Sequence, residues 1–176
     1  MAKSDLLSPQ AASPLGGARS PLMKAAVVRA FGQALTIESL DRPKPGHGQV
    51  LVKIGACGVC HTDLHAANGD WPIKPSPPFV PGHEGAGEIV EIGEGVSHLK
   101  VGDRVGVPWL GGACGRCRFC HSGEENLCDE ARFTGCHIDG GYQDFVVADH
   151  RYCLAIPNSY GDADAAPLLC AGLIGH

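Results

Sequence analysis

The stretch that decides how this chain is organised is Gly58-Val59-Cys60-His61-Thr62-Asp63-Leu64-His65. It brings one thiol, two imidazoles, a hydroxyl and a carboxylate together within about two turns of a helix. Thiolates and imidazoles are preferred zinc ligands, while hydroxyl, carboxylate and imidazole groups can carry protons. The stretch therefore predicts a metal site with proton-transfer groups beside it, and its remaining ligands must come from elsewhere in the chain.

With 176 residues, 44% of them hydrophobic and 19% charged, the chain has the length and composition of one globular domain. A net charge of -5 and the lack of a basic stripe argue against a nucleic-acid partner. No apolar run approaches the roughly 20 residues that span a bilayer, so no membrane partner is expected. Nine cysteines, an odd number, without a secretion signal favour reduced thiols in the cytoplasm over a disulfide framework.

The first residues differ in composition from the rest. Residues 1–22 are rich in Ala, Ser, Pro and Gly without a hydrophobic period, which predicts a disordered tail before a domain at residues 23–176. A transit peptide is the alternative, because Lys3 and Arg19 stand among serines, although Asp5 and the prolines argue against it.

The apolar pattern of the domain is that of short strands. A short helix is expected at residues 62–67, an extended loop at residues 71–81, which hold five prolines, and a helix start at residue 162. The fold class predicted is mainly β with short helices, in a distorted β-barrel. Apolar alternation places the strands at residues 27–28, 35–37, 50–54, 86–92, 104–107, 143–148 and 152–156.

The most specific spacing is a set of four cysteines within residues 111–136, Cys114-x2-Cys117-x2-Cys120-x7-Cys128. Two-residue gaps let successive sulfur atoms turn towards one centre, and four thiolates complete a tetrahedral zinc site with no open position. The spacing predicts a Cys-rich lobe with a structural zinc. Free or disulfide-bonded cysteines are one alternative, and an iron–sulfur cluster is another, although a second set of cluster ligands is missing.

A second metal site is predicted from His83 and Glu84, which follow the proline-rich loop. With Cys60 and Cys170, His83 makes a set of three nitrogen and sulfur ligands, the number that holds a catalytic zinc with one position open. Glu84 could serve as a transient ligand or support the ligands from behind. Asp63 could accept a hydrogen bond from the free ring nitrogen of His83 and fix its tautomer. A purely structural histidine is the alternative.

From Met23 to Gly175 the chain resembles the zinc-containing alcohol dehydrogenases of the medium-chain dehydrogenase/reductase superfamily, most closely the bacterial group that prefers primary alcohols. The family signature fits at every fixed position. The motifs, in family order, are Cys57-Gly58-Val59-Cys60-His61-Thr62-Asp63, Gly82-His83-Glu84-x2-Gly87-x5-Gly93-x2-Val96, Gly102-Asp103-Arg104-Val105, the four-cysteine lobe, and Leu168-Leu169-Cys170-Ala171-Gly172.

The resemblance implies a GroES-like β domain and two Zn²⁺ ions per full subunit. It implies that Cys60, His83 and Cys170 bind the catalytic zinc. The ligands it implies for the structural zinc are Cys114, Cys117, Cys120 and Cys128.

The resemblance also implies roles around the catalytic zinc. The family's hydroxyl residue that hydrogen-bonds the alcohol falls at Thr62, and the histidine that ends its proton relay falls at His65. His61 falls where a basic residue faces the pyrophosphate of the cofactor. Trp71 and Trp109 fall on the wall of the substrate pocket, although packing alone would also explain them.

The function implied is oxidation of primary alcohols to aldehydes by hydride transfer to NAD, with NADP as an open choice. Small alcohols or aldehydes would be the partners, with a homo-oligomer in the full-length form. Alternatives are a zinc-dependent dehydrogenase for polyols, formaldehyde or aryl alcohols, and a zinc-binding module without catalysis.

The family pattern continues beyond Cys170 into a Rossmann domain, which the sequence lacks. Gly85-Ala86-Gly87 begins like a dinucleotide fingerprint, but the third glycine is absent and a strand follows instead of a helix. Residues 157–176 are therefore expected to start the connection to a missing cofactor domain, and the chain to be a fragment with little turnover of its own.

Overall fold

The computed structural model describes residues 22–174, and these fold into short β-strands with few helical turns. The expected tail at residues 1–22 lies outside this range apart from Leu22, which begins the first strand. The strands are β1 (Leu22–Val27), β2 (Thr36–Asp41), β3 (Gln49–Cys57), β4 (Gly85–Ile92), β5 (Arg104–Val107), β6 (Leu110–Gly112), β7 (Arg132–Phe133), β8 (Phe145–Asp149) and β9 (Leu154–Ala155).

The helices within residues 22–174 are all short. The α-helices are α1 (His61–Asn68), α2 (Arg118–His121), α3 (Asp162–Ala165) and α4 (Ala171–Ile174), and the 3-10 turns are Glu125–Leu127, His150–Tyr152 and Ala166–Leu169. Within the described residues no helix has the length and apolar character needed to cross a membrane.

The expected barrel takes the form of a five-stranded sheet with two smaller sheets. The order in the large sheet is β8-β3-β4-β5-β9, and every pairing of named strands is antiparallel. β1 and β2 form a separate ribbon, which a bridge between Ala25 and Gln143 joins to the chain before β8. β6 pairs with β7 in the four-cysteine lobe. A parallel Rossmann sheet is therefore absent from residues 22–174.

Strand β3, which lies between β8 and β4, is covered on both faces. Val50, Leu51 and Val52 are all fully buried, although successive side chains of a strand point to opposite faces. Val50 and Val52 pack in the main core with residues of β4, β5 and β8. Burying each such aliphatic side chain contributes about 1.5–3 kcal/mol relative to leaving it exposed.

The strands of the five-stranded sheet were located correctly, but two of them are shorter than the sequence suggests, and β6 and β7 lie where no strand was expected. Tyr152 lies in a 3-10 turn and not in a strand, because the Asp149 carboxylate accepts a hydrogen bond from the backbone nitrogen of Arg151 and stabilises the turn. Gln143 precedes β8 and turns its side chain back to the carbonyl of Gly140, at 2.8 Å.

Contacts between residues far apart in sequence attach the C-terminal part of the chain to the sheet. Arg104 on β5 donates a 2.7 Å hydrogen bond to the carbonyl of Tyr160 and pairs with the carboxylate of Asp162. Behind this pair, Ala165 and Ala166 are buried against Ala86 of β4 and against Ile156. The anchored segment continues directly to Cys170.

Candidate metal centre

Four potential ligands from three separate segments meet at one end of the sheet. Cys60 precedes α1, His83 and Glu84 precede β4, and Cys170 lies between the last 3-10 turn and α4. Their ligand atoms all lie within 4.8 Å of one another. His83 and Glu84 are buried, whereas the two cysteines are partly exposed. The chain thus gathers two sulfurs, one imidazole and one carboxylate around one point.

The Asp63 carboxylate lies behind this cluster and is itself buried. Its Oδ1 accepts hydrogen bonds from Nδ1 of His83, at 2.8 Å, and from the backbone nitrogen of Gly82, at 3.1 Å. Its Oδ2 accepts from the backbone nitrogen of Cys60, at 3.0 Å, and from the hydroxyl of Tyr142, at 3.2 Å. Because the hydrogen bond to Asp63 occupies Nδ1, the free lone pair of His83 is on Nε2.

Glu84 connects two of the ligand segments. Its Oε1 accepts a 2.9 Å hydrogen bond from the backbone nitrogen of Ala171, the residue after Cys170. Its Oε2 lies where a side chain on Gly58 would stand, since a Cβ there would be 2.0 Å from this oxygen. The absence of a side chain at Gly58 therefore lets the carboxylate reach the cluster.

The protonation of the ligands depends on these contacts. Burial would lower the pKa of His83, but its hydrogen bond to Asp63 and the charge of Asp63 raise it overall. Burial would raise the pKa of Cys60, but hydrogen bonds from the backbone and side chain of Thr62, with the nearby His83, lower it overall. Burial and the adjacent Cys60 raise the pKa of Cys170 to about 11. Of the two thiols, Cys60 is therefore the easier to ionise.

The proposed relay groups lie on α1. Thr62 is half-buried and His61 is exposed. Nδ1 of His65 lies 2.8 Å from Oδ1 of Asp70, and its ring stacks on Trp71 with centroids 5.2 Å apart. His65 is therefore held in one orientation while about a third of its side chain remains exposed, at 33%.

Aromatic rings form one side of the cluster. Trp71 and Trp109 meet edge to face with centroids 6.1 Å apart, and Trp109 also contacts His83 edge to face at 5.2 Å. Phe133 stacks on Trp109 with centroids 4.8 Å apart. Phe133 and Tyr142 were not among the residues expected at this site, since neither belongs to a metal-ligand motif.

The four cysteines of the lobe also converge, with their sulfur atoms within 4.8 Å of one another. The sulfur of Cys120 lies 3.9 Å from that of Cys114 and 3.5 Å from that of Cys117. Four sulfurs that bind one zinc at about 2.3 Å lie about 3.8 Å apart along the edges of a tetrahedron. The backbone N–H of Arg116 lowers the pKa of Cys114 to about 7, which favours a thiolate. This lobe fits a closed zinc site.

Comparison with known proteins agrees with this geometry. Residues 46–158 match the family described as alcohol dehydrogenase GroES-like domain. The chain belongs to this family. As an alcohol dehydrogenase GroES-like domain, it has the mainly β fold with short helices that the sequence predicted, and the family resemblance is confirmed.

Curated relatives of this alcohol dehydrogenase domain include enzymes from several bacteria. The chain is 54% identical over 151 residues to an alcohol dehydrogenase of Geobacillus stearothermophilus, which covers 86% of the chain and 45% of the relative. It is 53% identical over 151 residues to an alcohol dehydrogenase of Rhizobium meliloti, covering 86% and 44%. The chain thus spans less than half the length of these relatives.

Solved structures show the same domain. A protein named CAD from Helicobacter pylori, solved with NADP(H), superposes with a TM-score of 0.79 at 33% identity over 86% of this chain and 46% of that one. A cobalt- and zinc-bound alcohol dehydrogenase from Pyrobaculum aerophilum gives 0.76 at 32% identity, over 84% and 44%. The two ligand clusters of the alcohol dehydrogenase domain fit metal binding of this kind.

Proposed function

We propose that this domain carries the zinc site of an enzyme that oxidises primary alcohols to aldehydes by hydride transfer to NAD, with NADP as an open choice. The observation that carries the proposal is the convergence of Cys60, His83 and Cys170 beside Glu84. Three nitrogen and sulfur ligands with one open position are typical of catalytic zinc, whereas four cysteines are typical of structural zinc.

The ligand set fits zinc chemically. Asp63 holds Nδ1 of His83 and leaves Nε2 free, and the lowered pKa of Cys60 favours the thiolate that zinc requires. When bound, zinc would supply a Lewis acid that lowers the pKa of an alcohol hydroxyl.

Thr62 and His65 are proposed to take up and release the alcohol proton. They are three residues apart on α1, so they share one face of the helix. Thr62 is half-buried, as an acceptor near the reacting hydroxyl should be, and His65 reaches solvent. A ring nitrogen of an imidazole can accept a proton and pass it to water.

The remaining parts of the proposal concern binding. Trp71 and Trp109 would line the alcohol site, since Trp109 contacts the ligand His83. His61 is exposed beside the cluster and would face the cofactor pyrophosphate. The relatives are about twice as long, so the proposal includes a cofactor-binding part outside these 176 residues, a homo-oligomer of the full enzyme, and little turnover by the chain alone.

The proposal can be tested by exchanging this domain into a full-length relative. Residues 23–174 would replace the corresponding part of the Geobacillus stearothermophilus relative, and formation of NADH or NADPH with a primary alcohol would be followed. We expect the chimera to be active and to bind two zincs per subunit. Cys60→Ser should lose the activity and one zinc, whereas Cys136→Ser should lose neither. Cys136 is a matched control because it is buried outside both clusters.

A folded chimera that binds two zincs and does not oxidise primary alcohols would refute the substrate class. A zinc count of one per chain, unchanged by Cys60→Ser, would instead support a zinc-binding module without catalysis. The zinc count can also be measured on the 176-residue chain, which makes this arm independent of whether the chimera folds.

A further inference from the structure

The hydroxyl of Tyr142 is the fourth hydrogen-bond donor to Asp63. It lies 3.2 Å from Oδ2 of Asp63 and 3.4 Å from the carbonyl oxygen of Gly58. Burial and the adjacent Asp63 carboxylate raise the pKa of Tyr142, so the phenol keeps its proton and acts as a donor. No metal-ligand motif includes Tyr142, and the proposed function gives it no role.

The backbone holds Tyr142 in register with the ligand segment. The nitrogen of Gly141 donates to the carbonyl of Gly82 at 2.6 Å, and the nitrogen of Tyr142 donates to the carbonyl of Pro81 at 3.0 Å. On the other side, the carbonyl of Tyr142 accepts from Ala26 of β1 at 2.8 Å. The phenol is thus attached to the same backbone ladder that precedes His83.

Close packing leaves the ring little freedom. A Cβ on Gly82 would lie 2.6 Å from the ring and 2.8 Å from the backbone nitrogen of Tyr142. The ring also packs on the buried cluster of Ala25, Val27 and Val80. A ring fixed in this way can hold its hydroxyl at one distance from Asp63.

The consequence for the metal ligand follows from the acceptor geometry of Asp63. Donors at Oδ2 fix the plane of the carboxylate, while Oδ1 orients the ring of His83. Outer partners that orient a ligating histidine commonly change metal affinity by about 10–100-fold when removed.

We propose that Tyr142 is a positioning residue for the catalytic metal, which acts by fixing the Asp63 carboxylate and, through it, the ring of His83. The inference rests on the proposed function, because it assigns metal binding to His83. It predicts that the hydroxyl of Tyr142 strengthens metal binding, whereas its ring contributes to packing in the core.

The test compares Tyr142→Phe with Tyr160→Phe in the 176-residue chain. Tyr142→Phe keeps the ring and removes the hydroxyl, while Tyr160 is exposed and outside both ligand clusters. Zinc content would be measured at graded concentrations of a competing chelator, with Cys60→Ser marking the share bound by the four-cysteine lobe. We expect about three- to tenfold weaker binding at the open site for Tyr142→Phe, less than direct loss of an outer partner, and no change for Tyr160→Phe.

Two further measurements separate positioning from packing. Cobalt at the open site should show an altered visible absorption band in Tyr142→Phe, because the His83 ring is held less firmly. In an Asp63→Asn background the same substitution should change zinc affinity less than twofold, since the two residues act in one chain of contacts. Equal effects in both backgrounds, or zinc binding and cobalt spectra identical to those of the unmodified chain, would overturn the proposal. Failure of the unmodified chain to bind a second zinc would instead count against the proposed function.

Discussion

The backbone nitrogen of Ala171 donates a 2.9 Å hydrogen bond to Oε1 of Glu84, across 87 residues of sequence. The contact joins the residue after Cys170 to the residue after His83. Two candidate ligands that arrive from distant segments are therefore held together by a carboxylate of the chain itself. Glu84 thus supports the segment of Cys170 through a direct hydrogen bond.

This contact leads to a prediction for Glu84. Glu84→Gln keeps an oxygen that can accept from Ala171, whereas Glu84→Ala leaves that donor unpaired and the Cys170 segment loose. We expect zinc affinity at the open site to fall about tenfold in Glu84→Ala and much less in Glu84→Gln. Chelator competition on both variants measures this, and equal affinities would contradict it.

Asp63 should be important for stability as well as for metal binding. It is 4% exposed and accepts four hydrogen bonds, so Asp63→Ala leaves several buried donors without a partner. We expect a loss of about 3 kcal/mol or more in the free energy of unfolding, with Asp63→Asn less affected. Urea unfolding of the zinc-loaded proteins tests this, and a change within about 0.5 kcal/mol of the unmodified chain would disprove it.

The four-cysteine lobe should depend on its metal. Cys128→Ser is expected to lose one zinc and to loosen residues 111–136, because this lobe has few regular elements and its four sulfurs converge. Limited proteolysis should then cut within the lobe first. Cys136→Ser is the control and should keep both the zinc count and the cleavage pattern.

Gly87 should tolerate no side chain. A Cβ there would lie 2.0 Å from the carbonyl oxygen of Lys53 on β3, and neither backbone can move without disturbing the pairing of β3 with β4. We expect Gly87→Ala to cost about 1–3 kcal/mol of stability. Gly161→Ala is a suitable comparison, since its φ is -69° and its nearest neighbour is a flexible carboxylate. The melting temperature should fall clearly in Gly87→Ala and much less in Gly161→Ala, and equal melting temperatures would contradict this prediction.

Cys153 should make the fold sensitive to alkali. Burial raises its pKa to about 12 from an ordinary value of 9.0. The unfolded chain therefore loses this proton first as pH rises, and the contribution of Cys153 to stability is complete below pH 9 and is lost between 9 and 12. At pH 10 the loss is about 1 kcal/mol. Cys153→Ala should lose less stability than the unmodified chain between pH 8 and 10, by chemical unfolding, and identical pH profiles would contradict this.

Local patterns in the sequence were sufficient to predict several of these features. Apolar alternation located the strands of the five-stranded sheet. The short helix expected at residues 62–67 is α1, which ends at Gly69 with a φ of 67°. The four cysteines lie close together along the chain, so their spacing alone indicates one centre. Cys60 and Asp63 belong to one helical turn, and this too is readable from residue spacing.

The distant residues that complete the site could be identified from the folded chain alone. Tyr142 is 79 residues from Asp63, and Ala171 is 87 residues from Glu84. A tyrosine or a backbone N–H has no spacing that identifies its acceptor, because the partner depends on which strands pair and in which register. Sequence patterns fix the periodicity of each element, whereas the geometry around His83 depends on contacts formed only when β1, β4, β8 and the C-terminal segment come together.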